Sequence, residues 1–144
     1  MDKDYFPIGS GETILLVEDD ADVRFVTCHL LQALNYNVIE AGDGPSALQK
    51  LAELDEAGER VDLVFSDIVM PSGMNGIDLS IAIWGRYPDT PVMLTSGYPD
   101  KALQEVGMTE EDHIYMHLMR KPYGRKELAF SIHKIISRSS VNGL

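Results

Sequence analysis

The chain carries a single cysteine, Cys28. An internal disulfide is therefore excluded, and with it any fold stapled by such bridges. Cys28 falls on the apolar side of a predicted helix, where inert packing is expected rather than reactivity. A reducing, cytoplasmic setting fits that usage. No apolar run approaches the ~20 residues that span a bilayer. The N-terminal stretch MDKDYFPIGSGE is polar and acidic, unlike a signal peptide. Positive charge is also scarce. Twelve Lys and Arg stand against 23 Asp and Glu, a formal net charge of −11. No basic run offsets this locally, so the chain is expected to bind no nucleic acid and to insert in no membrane.

What is present is enough for one core. The 144 residues are 44% hydrophobic and 24% charged, the make-up of a single globular domain. The apolar pattern switches between two periods. TILLV (13–17) is a continuous apolar run, as a strand buried on both faces requires. In the next segment Val23, Val26, Leu30 and Leu34 recur at helical spacing. NVIEA (37–41) is strand-like again. Pro45 suits a first helical turn, followed by Ala47, Leu51 and Leu54 on one face. DLVFS (62–66) is a third strand, and Ile77, Ile81 and Trp84 mark a third helix. PVMLTS (91–96) is a fourth strand, followed by a short helix over about 99–107. A weaker strand lies near 114–119. Leu128, Ile132, Ile135 and Ile136 give a final amphipathic helix. Residues 1–11 and 139–144 are expected to be linker or tail, with the domain between them at 12–138.

Five strand–helix repeats imply a parallel sheet with helices on both faces, connected by right-handed crossovers. The expected fold is a flavodoxin-like, doubly wound three-layer sandwich with strand order 2-1-3-4-5. Ligands of such sheets bind beyond the carboxyl ends of the strands, where the winding reverses, here between strands one and three. Gly42 and Gly44 precede a helix but form no phosphate-cradling loop, so the FMN of that topology is poorly supported.

The strand ends are where chemistry concentrates. LVFSDIVMP places Asp67 at the end of an apolar strand. Strand one ends in Glu18, Asp19 and Asp20, strand four in Thr95 and Ser96, strand five in Lys121 and Pro122. Two unit charges at ~4 Å repel by about 4 kcal/mol at an effective dielectric near 20. Three carboxylates against one lysine remain underneutralised, and an all-oxygen set selects Mg²⁺, with Mn²⁺ able to substitute. A carboxylate in that setting can attack phosphorus. Lys121 and a hydroxyl, Thr95 or Ser96, can meet the charge on the transferring oxygens, and no general base is needed.

ILLVEDD, SDIVMP, LTSGY and RKPY together resemble the receiver domain of bacterial two-component response regulators, over about residues 12–138. GSGETILLVEDD, MPSGMNG and LMRKPY look most like the C-terminal receiver of hybrid sensor histidine kinases. The resemblance implies a phosphoprotein that catalyses its own phosphorylation and dephosphorylation but is no turnover enzyme. Asp67 would be the phosphoacceptor, supplied by a phosphohistidine on a histidine kinase or phosphotransfer protein. Asp19, Asp67 and the Val69 backbone carbonyl would be metal ligands, with Glu18 acting through water. Thr95 would be the switch hydroxyl, Lys121 its partner at the phosphoryl group, and the Lys121–Pro122 bond cis. Dimerisation is possible through the face of the fourth helix, fifth strand and fifth helix.

The family often carries an aromatic three residues before the lysine. Leu118 stands there instead, and Tyr115 is the nearest substitute. The loop after Pro71 is one residue longer than the commonest form. Its Gly73 and Gly76 suggest positive φ or close backbone approach. Val69 and Gly97, two residues after Asp67 and Thr95, cannot hydrogen-bond an attacking water, which predicts slow self-dephosphorylation. His113 and His117 flank the fifth strand and are expected at a surface or edge; His29 and His133 are expected on helix surfaces. Two alternatives are an aspartate-nucleophile phosphatase, which needs an acid where Val69 stands, and a vestigial interaction module.

Overall fold

The computed structural model describes residues 6–70, 73–96 and 117–142. The elements are β1 (Thr13–Val17), α1 (Ala21–Ala33), β2 (Asn37–Ala41), α2 (Gly44–Glu56), β3 (Leu63–Asp67), α3 (Gly76–Arg86), β4 (Val92–Ser96), β5 (His117–Arg120) and a C-terminal helix, α4 (Arg125–Asn142). The five strands form one sheet in the order β2-β1-β3-β4-β5, with every neighbouring pair parallel. The expected helix near 99–107, with Gly97, His113 and Tyr115, lies outside the described residues.

Alternation along the strands divides the core into two layers. Leu15, Val17, Val64, Val92 and Leu94 pack with Ala47 and Leu51 of α2 and Ile77, Leu79 and Ile83 of α3. Ile14, Leu16, Leu63, Phe65, Met93 and Met119 pack with Cys28, Leu31 and Leu34 of α1 and Leu128, Ala129 and Ile132 of α4. Each fully buried Leu or Ile in these layers stabilises the fold by roughly 1.5–3 kcal/mol relative to exposure.

The helix ends are set by side chains. Asp20 caps α1 by accepting from the Asp22 and Val23 N–H groups at 2.9 and 3.1 Å. Asn75 and Asp78 form a reciprocal capping box at the start of α3, satisfying two backbone donors that a helix start leaves open. Among the described residues, no helix is long and apolar enough to cross a membrane.

Four expectations are corrected. Val23 and Val26 do not face the core; Val26 is 65% exposed, and the buried positions of α1 are Thr27, Cys28 and Leu31. Ile81 is 57% exposed, while Ser80 and Ile83 are buried in α3. Residues 6–11 are not a free linker. Phe6 packs into the α1/α4 layer, Arg125 lies over its ring, and Gly9 donates to the Leu34 carbonyl at 2.7 Å. Gly9 permits this contact because a Cβ there would stand 2.4 Å from the Tyr36 ring. Finally, α4 runs to Asn142 rather than ending at 138; no glycine or proline interrupts it before Gly143.

Candidate functional site

The same alternation decides which strand-end side chains can meet. Continuing β1 from Ile14 and Leu16 puts Glu18 on the α1/α4 side, and continuing β3 from Leu63 and Phe65 puts Asp67 there too. Met93 and Met119 carry Thr95 and Lys121 to the same side. Asp67 and Thr95 are direct register partners. Ser96 belongs to the other face by this count. Its backbone carbonyl nevertheless contributes, accepting the Lys121 N–H at 2.9 Å and holding the chain as it leaves β5.

The Lys121 ammonium donates to the Asp67 carboxylate at 3.0 Å across 54 positions of sequence. Burial pulls the Lys121 pKa down, but the hydrogen bond to Asp67 and the charges of Asp67 and Glu18 outweigh it, and the net shift is upward. Glu18 is only 7% exposed. Its pKa is pushed up to about 7, by burial first and then by Asp67, against the opposing pull of Lys121, with further pushes from Asp19 and Asp20. The pocket therefore keeps a surplus of negative charge even with its lysine in place. Asp19 is exposed, and Asp20 is committed to capping α1.

The backbone around Asp67 is clamped. Ile68 donates to the Thr95 carbonyl at 3.0 Å and accepts from Gly76 at 2.8 Å. Gly76 brings α3 against the strand end: a Cβ there would lie 2.4 Å from the Asp67 carbonyl oxygen. Gly73 has φ +95°. Both glycines thus do what their loop required of them, one by positive φ and one by close approach. The Lys121–Pro122 bond is cis. Val69 follows just beyond the strand with its side chain 60% exposed.

Among the described residues, no three His, Cys, Asp or Glu side chains converge closely enough to hold a metal ion. Glu18, Asp19 and Asp67 share an electrostatic neighbourhood without closing a three-carboxylate cage. The oxygen-only donors and their unbalanced charge still fit a hard dication, since Mg²⁺ is commonly held by one or two carboxylates and keeps several waters.

The family model "Response regulator receiver domain" matches residues 14–133. The chain belongs to that family. As a receiver it is 32% identical over 131 residues to the sensor kinase CckA of Brucella abortus, covering 91% of this chain and 13% of that protein. It is also 32% identical over 123 residues to the response regulator receiver protein CpdR of the same organism, covering 85% of this chain and 95% of CpdR. Among solved structures, the receiver domain of the hybrid histidine kinase CckA superposes with a TM-score of 0.65 at 33% identity, covering 86% of this chain and 98% of that one. The signal receiver domain of an HD domain-containing protein from Pseudomonas fluorescens Pf-5 gives 0.74 at 30% identity, covering 92% and 99%. The receiver thus spans a small part of one relative and nearly all of another.

Leu118 of this receiver is half-buried and packs against the α2/α3 layer, on the side of the sheet away from Asp67. His117 sits at the start of β5, where burial, then Arg138 and Lys134, lower its pKa. His29 and His133 are exposed, and Cys28 is buried, as their helix positions implied. Sequence reasoning missed Arg24, whose guanidinium donates to the Glu18 carbonyl at 2.7 Å and pairs with Glu40 at 3.6 Å. It also missed Tyr123, whose ring packs on Phe65 with centroids 6.2 Å apart and which lay in view as the last residue of RKPY.

Proposed function

We propose that this chain is the phosphoacceptor of a two-component relay, taking a phosphoryl group from a phosphohistidine of a histidine kinase or phosphotransfer protein onto Asp67. The observation that carries the reading is the Lys121–Asp67 pair at the strand ends, 3.0 Å apart, with Thr95 in register beside the carboxylate. An Asp67 carboxylate oxygen attacks phosphorus. The imidazole N–P bond breaks and its electron pair returns to the ring nitrogen. Lys121 meets charge on one phosphoryl oxygen, and the Thr95 hydroxyl donates to another. Asp19 and Asp67, the Val69 carbonyl and a water held by Glu18 are the groups suited to Mg²⁺ or Mn²⁺. When bound, that ion supplies charge neutralisation at the phosphoryl oxygens.

The acyl phosphate then biases two conformations of the domain by its differential contacts with each. The phosphatase alternative lacks its acid, because Val69 is aliphatic. A vestigial module has no use for a lysine held on a strand-end carboxylate. Incubation with Mg²⁺ and acetyl phosphate, then intact mass measurement, is the test. A gain of about 80 Da, the mass of one phosphoryl group, that is absent in Asp67→Asn supports the reading. No adduct in the wild type overturns it, and sustained phosphate release from an ester would point to the phosphatase.

A further inference from the structure

The turn from β1 to α1 carries Glu18, Asp19 and Asp20. Its two outer residues are fastened. Asp20 caps α1 with its carboxylate, and its carbonyl accepts the Arg24 N–H at 2.9 Å. Glu18 donates its N–H to the Ala41 carbonyl of β2 at 3.1 Å. The Glu18 carbonyl accepts from the Arg24 guanidinium at 2.7 Å. That carbonyl belongs to the peptide unit joining Glu18 to Asp19, and such a unit is planar. Holding its oxygen therefore sets the direction in which the chain enters Asp19, which is itself exposed.

Arg24 stands near the start of α1 and reaches back to the turn, its side chain only 25% exposed. Its Nε lies 3.6 Å from a Glu40 carboxylate oxygen on β2. Lys50 of α2 donates to the carbonyl of the same Glu40. The Arg24–Glu40 pair is partly exposed and contributes little by itself. It steers the guanidinium, whose rigid fork can meet two acceptors at once, onto the Glu18 carbonyl.

We propose that Arg24 is a positioning residue for divalent-ion binding, its guanidinium holding the Glu18–Asp19 peptide so that Asp19 is presented at the strand ends. This rests on the phosphoacceptor reading above and adds a residue to it. A positive charge near such a site would by itself repel a dication. The two roles therefore have opposite signs: losing the positioning bond weakens ion binding, and losing the charge strengthens it.

The test uses the whole chain and Mn²⁺ alone, with binding read from the loss of the free-ion electron paramagnetic resonance signal. Arg24→Met keeps an unbranched stem and removes the guanidinium. It should weaken Mn²⁺ binding about threefold to tenfold, the size of one net hydrogen bond. Arg24→Lys keeps the charge as a single point without the fork and should still bind about twofold to fivefold more weakly than wild type. Glu40→Gln retains the Glu18 bond and should change the affinity less than about twofold. Urea midpoints in chelator are measured alongside, because a merely structural residue would lower the midpoint and leave the affinity of the folded protein unchanged. Should Arg24→Met not fold, Arg24→Lys decides. Unchanged or tighter Mn²⁺ binding in the Arg24 variants, or a full loss in Glu40→Gln, overturns the positioning role and leaves the phosphoacceptor reading standing. A wild type that takes up no Mn²⁺ overturns the role together with the metal part of that reading, while the Asp67 adduct still decides phosphoryl acceptance.

Discussion

Lys121 and Asp67 stand 3.0 Å apart with the lysine side chain 34% and the aspartate 15% exposed. The pair is half-sheltered, so its value lies between an exposed ion pair and a buried one. Its placement says more than its energy. Beside it sits Glu18, buried and crowded by the same aspartate. Among the described residues one lysine therefore serves two carboxylates, and a phosphoryl group arriving at Asp67 would add negative charge beside them.

Lys121→Ala should slow phosphorylation by acetyl phosphate about tenfold to a hundredfold, the range for one charge-assisted hydrogen bond made to the transferring group. Lys121→Arg should recover only part of this. The guanidinium keeps the charge, but it is a planar fork and not a point charge. Initial rates of adduct formation by intact mass measure both. A rate within twofold of wild type for Lys121→Ala would remove the lysine from the chemistry.

Glu18 makes stability depend on pH when no divalent ion is present. Its folded pKa is about 7, against an ordinary value of 4.5. Between those values the folded state holds a proton that the unfolded state has released. Stability is thus full below about pH 4.5 and is lost as pH rises through 7, by on the order of 3 kcal/mol. Glu18→Gln should be more stable than wild type at pH 8 and nearly equal at pH 5. Urea midpoints in chelator at the two values check this. Adding Mg²⁺ to the wild type should raise the midpoint more at pH 8 than at pH 5.

Gly76 and Gly85 lie in the same helix and should respond oppositely to alanine. A Cβ at Gly76 meets backbone, 2.4 Å from the Asp67 oxygen and 2.9 Å from the Ile68 Cα. Backbone cannot rotate aside, so Gly76→Ala should cost about 1–3 kcal/mol and displace the acceptor. At Gly85 nothing lies within 4 Å of the added carbon. Gly85→Ala should stabilise by about 0.5 kcal/mol through helix propensity. Thermal unfolding of the two variants separates these outcomes.

Much of the site was legible because a parallel sheet converts position into proximity. The first four strands were foreseen to within a residue, and the fifth overlaps its expected range over the part that the described residues cover. Period-two alternation then decides that Glu18, Asp67, Thr95 and Lys121 share a face. The helices were harder. Thr27 was missed as a core position because its polarity is hidden, its hydroxyl donating to Val23 one turn back at 2.8 Å. Ser80 does the same to Gly76 at 2.8 Å. Such back-bonded hydroxyls can be buried while reading as polar. Apolar periodicity therefore shifted the predicted faces onto Val26 and Ile81, which are exposed. The docking of residues 6–11 was invisible for another reason. It depends on what Gly9 lacks, a side chain that would collide with Tyr36.

The lifetime of a phosphorylated state follows from what stands beside the acceptor. Val69, two residues past Asp67, is 60% exposed and has no hydrogen-bonding atom in its side chain. Such a side chain has no group with which to orient a water for attack. We expect the acyl phosphate to outlast a few seconds by a wide margin after the donor is removed. Val69→Asn supplies a donor and an acceptor where water approaches. One such hydrogen bond, worth about 1 kcal/mol in the hydrolysis transition state, should shorten the lifetime about fivefold. Acid-quenched samples weighed intact over time give both decays. A wild-type adduct gone within seconds, or an unchanged lifetime in Val69→Asn, would show that other groups govern hydrolysis.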